Sequence, residues 1–507
     1  MKKFDQLKTG IGLSYVNMII GNIIPLLYAP IMLRLLGQAE YGLYSLATSV
    51  TSYLSLMSMG IGTAVVRYLA KYRAENDSDG ESRMLGLFSC IFCVIALMTL
   101  IVGYVLSQNL ATFYGHTLTA SELGKMELLT KLLSINTALS FVFSVYSSVI
   151  TVHERFVFQQ ALNIFGTAIP PILNIILLYF GFSSVGLVFS ALITSLVIYI
   201  SKVLYCVYKL KIRPVFKKMP IYLIKELCIF SFFVFIANIV STLHSATDKV
   251  ILGALVGTTV VAVYNVGLMF RNIVEQVSVA ISGVMMPRVT MMVDQHSSNE
   301  ELTTFMIKIG RVQAMLIGLL VGGFCAFGRE FVLMYAGRQY EQAYYVAVLI
   351  MVPMVVPLVQ NIGNTILLAK NKHKFRSLSS LVTAIMNVFA TWYLVPYWGV
   401  IGAAVTTCIC NCIGSITLMN WYYHKSIGLN ILAFWKSVFG ILQVPILLTT
   451  IALFIGQIVD FEKPLFFMCG VVAYTLLYCI MMWTRLNEYE KMYFIEHMAF
   501  VKKKVSL

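Results

Sequence analysis

Long apolar runs separated by short polar joints constrain this chain more than any other feature. A membrane-spanning helix needs roughly 20 predominantly apolar residues. About fourteen such stretches fit, at 11–33, 42–66, 84–106, 128–150, 161–181, 185–208, 228–250, 259–287, 306–328, 343–368, 378–396, 399–422, 437–459 and 465–484. They take up more than half of the 507 residues, and the joints are too short to form a separate soluble domain. Backbone groups in lipid need internal partners, so the expected fold is an all-α integral membrane protein with about fourteen transmembrane helices. The chain is 59% hydrophobic and only 12% charged, about half the charged fraction of a soluble protein.

Lysines and arginines fix the expected orientation. With the N-terminus inside, 29 of the 37 fall on inside segments and 6 (Arg34, Lys125, Lys131, Arg329, Arg338 and Lys463) outside. Lys249 and Arg271 remain within the membrane. Both termini are then cytoplasmic, and the +15 net charge is mostly one-sided, which argues against nucleic acid as a partner. The ten cysteines lie in apolar stretches. The spacing of Cys90 and Cys93 suits a redox or metal pair, but with no second pair and no nearby histidine they read as small hydrophobes. The first apolar run is long enough to span and lacks a small-residue cleavage site, so no cleavable signal is expected.

The chain also repeats itself. Gly21-Asn22 and Ala237-Asn238, Leu36-Gly37 and Leu252-Gly253, Tyr44 and Tyr264, Arg67 and Arg288, and Asn174 and Asn387 follow one order. This predicts two six-helix repeats forming a central cavity, residues 1–210 and 211–425, followed by two further helices and a tail at 426–507. In the first helix Ser14, Asn17, Gly21 and Tyr28 share a face, and in the seventh Ser231, Asn238, Thr242, Ser245 and Lys249 do. Such stripes line a cavity or hydrogen-bond between helices.

Arg271 lies near the middle of the eighth span, with Glu275 one turn later and Asn272 beside it. Each mid-membrane charge costs about 2.5–3.5 kcal/mol on insertion scales, so the pair faces an interior or a wet cavity. It is either a structural ion pair or an anion site, in which the planar guanidinium would donate two parallel hydrogen bonds to a phosphate. Asp248 and Lys249, at the outer end of the seventh span, and Arg34, at the outer end of the first, are interfacial anchors or weaker cavity candidates. Arg67 and Arg288 occupy equivalent inner positions and are candidates for a cytoplasmic entrance. Pro25, Pro30, Pro170, Pro171, Pro353 and Pro357 interrupt spans and imply bent helices. The sequence has neither a phosphate-binding Gly-rich loop ending in Lys-Ser/Thr nor a His-Glu-x-x-His zinc motif, so no cofactor, metal or catalytic residue is expected. Coupling to a proton or sodium gradient would need a titratable membrane group, for which Glu275 and Asp248 are the candidates.

The segments 12–25, 35–46, 245–253, 261–264 and 397–404 resemble the Wzx-type polysaccharide and O-antigen flippases of the multidrug/oligosaccharidyl-lipid/polysaccharide (MOP) exporter superfamily. Gly-Leu-Ser-Tyr-Val-Asn-Met-Ile-Ile-Gly-Asn, Leu-Gly-Gln-Ala-Glu-Tyr-Gly-Leu-Tyr, Ala-Thr-Asp-Lys-Val-Ile-Leu-Gly and Tyr-Trp-Gly-Val-Ile-Gly-Ala-Ala carry the likeness. The resemblance implies alternating access in a bacterial inner membrane, with an undecaprenyl-pyrophosphate-linked oligosaccharide as cargo for surface polysaccharide biosynthesis. It implies membrane lipids as partners, and polysaccharide polymerase machinery as a further one. Arg271, with Arg34 and Lys249, would bind the anionic head. Readings left open are an organic-cation or multidrug exporter of the same superfamily and a lipid II flippase. An enzyme of lipid-linked sugars is disfavoured, because the longest outside loop, about 107–127, holds no soluble domain.

Overall fold

The computed structural model describes residues 3–488, 490 and 491, and among these there is no β-strand. Lys2, Lys502, Lys503 and Lys504 of the charge count lie outside the described residues, as does the Cys228 side chain.

The helices of the first half are α1 (Lys3–Leu36), α2 (Gln38–Ser52), α3 (Ile61–Ala74), α4 (Ser78–Gln108), α5 (Leu110–Tyr114), α6 (Ala120–Val152), α7 (Phe156–Tyr179) and α8 (Ser184–Leu204). The second half continues with α9 (Ile224–Leu255), α10 (Thr258–Asp294), α11 (Asn299–Ala336), α12 (Gln342–Val359), α13 (Asn361–Ala369), α14 (Lys374–Asn411) and α15 (Met419–Tyr422). The chain ends with α16 (Ile431–Ile455) and α17 (Pro464–Arg485). Among the described residues, twelve helical stretches are long and apolar enough to cross a membrane. One of these, Lys374–Ile427, contains the break at Gly399 (φ 54°, ψ −131°) that separates two expected spans. With those arms counted apart and the long apolar α9 added, helices account for all fourteen expected spans. The second expected span is α2 and α3 joined through a 3-10 turn at Tyr53–Ser58.

The backbone repeats some of its features along the chain. Left-handed residues recur at a near-constant separation: Gly37 and Gly257, Asn76 and His296, Glu154 and Asn371, Gly181 and Gly399, Lys211 and Gly428. The sixth and twelfth spans both end in π-helical turns, Tyr205–Leu210 and Tyr423–Ile427. Each closes with the same amide bond six residues back, Ile212 N–H to the Cys206 carbonyl (3.1 Å) and Leu429 N–H to the Tyr423 carbonyl (3.0 Å). The sequence echo at Leu252-Gly253 needs one correction. The conformational partner of Gly37 (φ 81°) is Gly257 (φ 121°), because both turn the chain into the next helix.

Packing divides the chain into two compact units, Met1–Asn265 with Val388–Ala403, and Val266–Asn387 with Ala404–Leu507. In the first unit α6 packs on α2, α3, α4 and α8, and α7 on α1 and α8, while α9 lies against α2 and α3. In the second, α11 is central and is flanked by α12, α16 and α17. Thr119–Glu122 and Ser298–Glu301 form capping boxes at the starts of α6 and α11, and the Asp77 side chain caps α4.

Candidate functional site

In the second unit Arg271 and Glu275 pair on α10. Arg271 Nη2 lies 2.8 Å from Glu275 Oε2, and the two side chains are 26% and 39% exposed. Arg271 Nη1 donates to Asn272 Oδ1 at 3.3 Å and its Nε faces Met354 Sδ at 3.1 Å. The preceding residue, Phe270, is buried among Phe324, Phe331 and Tyr335, which fixes this turn of α10 against α11. The guanidinium is therefore held by packing and remains reachable.

In the first unit Asp248 is 7% exposed and accepts hydrogen bonds from the Tyr264 hydroxyl (2.6 Å) and the Thr391 hydroxyl (3.2 Å). A buried carboxylate held by two hydroxyls is a built polar site, not an exposed anchor. Lys249 is half-buried and reaches Asn265 Oδ1 at 3.5 Å, while Asn265 Nδ2 donates to the Tyr41 hydroxyl at 2.6 Å. Asp248 and Lys249 are adjacent yet serve different partners.

The remaining candidates lie elsewhere. Asn22 donates to the carbonyl of Met18 on its own helix at 2.8 Å. Asn238 is half-buried on α9, and Arg34 and Arg67 are exposed. Arg288 is exposed and lies over the Phe305 ring at 5.3 Å. The stripe on the first helix is used between helices, since Gln160 of α7 donates to Ser14 (2.7 Å) and accepts from Asn17 (3.5 Å).

Close approach replaces side chains where α2 meets the segment from 253 to 265. A Cβ added to Gly42 would lie 1.8 Å from the Thr258 carbonyl oxygen, and one at Gly253 would lie 2.5 Å from Leu46. Hydroxyls lock the same region. The Thr117 hydroxyl donates to the Gly253 carbonyl (2.9 Å), the Thr258 hydroxyl donates to Glu122 (2.9 Å), and Tyr53 and Thr247 share a bond of 2.6 Å. Glu40 takes a salt bridge from Lys125 and a hydrogen bond from the Ser184 hydroxyl at 2.6 Å.

Sequence reasoning missed the strongest charge contacts of the second unit. Arg311, counted only as an inside cation, donates to both Glu490 oxygens (2.6 and 2.8 Å) and to the carbonyls of Ser437 and Arg485 (3.1 and 3.0 Å). Burial alone would raise the Glu490 pKa, but the Arg311 hydrogen bonds, the Asn487 amide and the Arg311 charge together hold it below the usual carboxylate value. Buried Gln313 donates to the Ser282 hydroxyl at 2.8 Å, and buried Gln360 donates to Asn420 at 2.6 Å. A glutamine inside an apolar run was the available signal for both. Among the described residues no cluster of potential metal ligands occurs.

Comparison with known proteins places the chain. The family model described as "Polysaccharide biosynthesis protein" matches residues 31–345. A Shigella flexneri protein named for O-antigen transport is 22% identical over 404 residues, covering 77% of this chain and 91% of that protein. A Salmonella typhimurium protein of the same name is 28% identical over 106 residues, covering 20% of this chain and 25% of that protein. Among solved structures, the lipid II flippase MurJ in an inward closed conformation superposes with a TM-score of 0.75 at 14% identity, covering 93% of this chain and 97% of MurJ. An inward-facing MATE multidrug transporter of the MOP superfamily gives 0.65 at 14% identity, covering 84% and 99%. The chain is a multi-pass membrane protein with the fold of the MOP-superfamily transporters, and it belongs to the polysaccharide biosynthesis protein family.

Proposed function

We propose that this protein is a flippase, not an enzyme, for lipid-linked oligosaccharides. It moves undecaprenyl-pyrophosphate-linked repeat units from the cytoplasmic to the outer leaflet of a bacterial inner membrane by alternating access. Both termini are cytoplasmic, and 1–210 and 211–425 are the two repeats. The observation that carries this reading is the Arg271–Glu275 pair: a partly exposed guanidinium inside α10, well away from both ends of a helix long and apolar enough to cross a membrane. A charged pair inside an apolar helix is costly even when its members meet, which favours a use for it.

The cargo head carries a pyrophosphate, and a guanidinium can grip two of its oxygens at once. Glu275 holds Arg271 in place when no anion is bound. An arriving pyrophosphate competes with that carboxylate, and re-pairing with Glu275 helps release it. Asp248, buried among hydroxyls, is the candidate for a coupling proton or sodium ion. In the proposed orientation the close contacts at Gly42 and Gly253 seal the outer side of the first unit, and they must part for release.

The test is reconstitution of the full chain with an undecaprenyl-pyrophosphate oligosaccharide, timing exposure of the sugar to an impermeant glycosidase. Exchange faster than in empty liposomes supports the reading. Export of organic cations without sugar exchange would replace it with the multidrug reading, and activity restricted to lipid II with the lipid II one.

A further inference from the structure

The segment joining α8 to α9 is a basic strap. Between Tyr205 and Lys225 it carries Lys209, Lys211, Arg213, Lys217, Lys218 and Lys225 and no acidic residue. Its cations alternate with apolar and aromatic residues, and the fold pins the segment down. The Ile212 amide bonds to the Cys206 carbonyl at 3.1 Å and the Val215 amide to the Ser82 carbonyl at 2.9 Å. Gly86 makes room for that second contact, since a Cβ there would lie 2.2 Å from the Val215 oxygen. Ile212 is buried, and Leu210, Met219 and Leu223 pack against the same core as α3, α4 and α6.

Anchoring the apolar residues inward leaves the cations outward, and Lys209, Lys211, Arg213, Lys217 and Lys218 are all exposed. Three large aromatics are exposed with them: Tyr208 at 73%, Phe216 at 57% and Tyr222 at 78%. Exposed aromatics interleaved with lysines suit the headgroup layer of a membrane, where the rings sit at the boundary and the cations meet lipid phosphates. Beside the strap, Tyr222 and Glu226 line a cavity of about 170 Å³ with Arg67, Lys71 and Tyr72. Two cations against one carboxylate leave it a single positive charge, which matches a phosphodiester monoanion. We propose that the strap and this cavity bind the headgroups of anionic glycerophospholipids in the leaflet it faces.

The test uses the full-length protein in detergent with equimolar phosphatidylglycerol and phosphatidylcholine, and native mass spectrometry counts the lipids retained. Wild type retains phosphatidylglycerol with a preference of about tenfold, a preference that falls as salt rises. Replacing Lys209, Lys211, Arg213, Lys217 and Lys218 together by Gln brings the ratio close to parity, whereas replacing Lys370, Lys372 and Lys374 by Gln leaves it unchanged. Phe216→Ser, which keeps every charge, lowers the preference about threefold and guards against misfolding of the multiple variant. Equal loss in both lysine sets, or a preference insensitive to salt, overturns the proposal. Displacement of phosphatidylglycerol by stoichiometric undecaprenyl pyrophosphate also overturns it, assigning the site to cargo instead.

Discussion

Arg271 and Glu275 stand one helical turn apart on α10, their charged atoms 2.8 Å from each other. The same turn of the helix is locked by Phe270 against α11. The pair is half-open to its surroundings, which makes its stability contribution small and its availability to a ligand large. Glu275→Gln should therefore change thermal stability little while slowing transport turnover, because the anion loses its competitor for Arg271. Unfolding temperature and flipping rate, measured on one preparation, separate the two effects.

Arg311 and Glu490 present the opposite case, with side chains only 9% and 12% exposed. Arg311→Ala strands a buried carboxylate and frees the carbonyls of Ser437 and Arg485, so it should cost about 3–5 kcal/mol. The thermal midpoint in detergent should fall by several degrees. The Glu490 pKa is depressed in the folded state. Its stabilisation is fully present above the ordinary carboxylate value and is lost as pH falls through the lower folded value. Glu490→Gln should flatten that acid limb, and an unchanged limb would remove Glu490 from the account.

Gly42 admits no side chain, because the Thr258 carbonyl fills the space. Gly42→Ala should destabilise by about 1–3 kcal/mol through overpacking and should slow transport. Gly253→Ala should be milder, since it meets the flexible end of Leu46. Thermal midpoints of the two variants, taken side by side, check the order.

Lys211 and Gly428 hold the same left-handed position at the ends of the two π-helical turns. Glycine takes that conformation without strain and lysine does not. Lys211→Gly should raise stability by up to about 1 kcal/mol, and Gly428→Ala should lower it by at least as much, since its Cβ would also crowd Asn299 at 2.4 Å. Chemical denaturation in mild detergent gives the sign of both.

Asp248 accepts from Tyr264 and Thr391 and is buried. If it carries the coupling ion, Asp248→Asn should leave cargo exchange insensitive to an imposed proton or sodium gradient. A gradient response equal to that of wild type, measured in the same liposomes, would exclude it.

The spans were legible because an apolar run of sufficient length has few alternatives to a membrane helix. The Arg271–Glu275 pair was legible because helical spacing puts both groups on one face. Arg311 was not, since Glu490 lies far along the chain and nothing local distinguishes Arg311 from an ordinary inside cation. The π-helical ends at Tyr205 and Tyr423 have no residue signature, and the pairing of Gly37 with Gly257 is set by backbone angles that the Leu-Gly echo at Gly253 obscured. Asp248 sat at a predicted helix end, where sequence favours an anchor; only Tyr264 and Thr391 closing over it reveal a buried site.

The central claim is that Arg271 binds the anionic head of a lipid-linked oligosaccharide. Flipping rates of wild type, Arg271→Lys and Arg271→Ala in liposomes with undecaprenyl-pyrophosphate oligosaccharide test it most directly. The account predicts a loss of at least about tenfold in Arg271→Ala, with partial activity in Arg271→Lys, which keeps the charge but loses the fork. Undiminished flipping by a folded Arg271→Ala protein would contradict it.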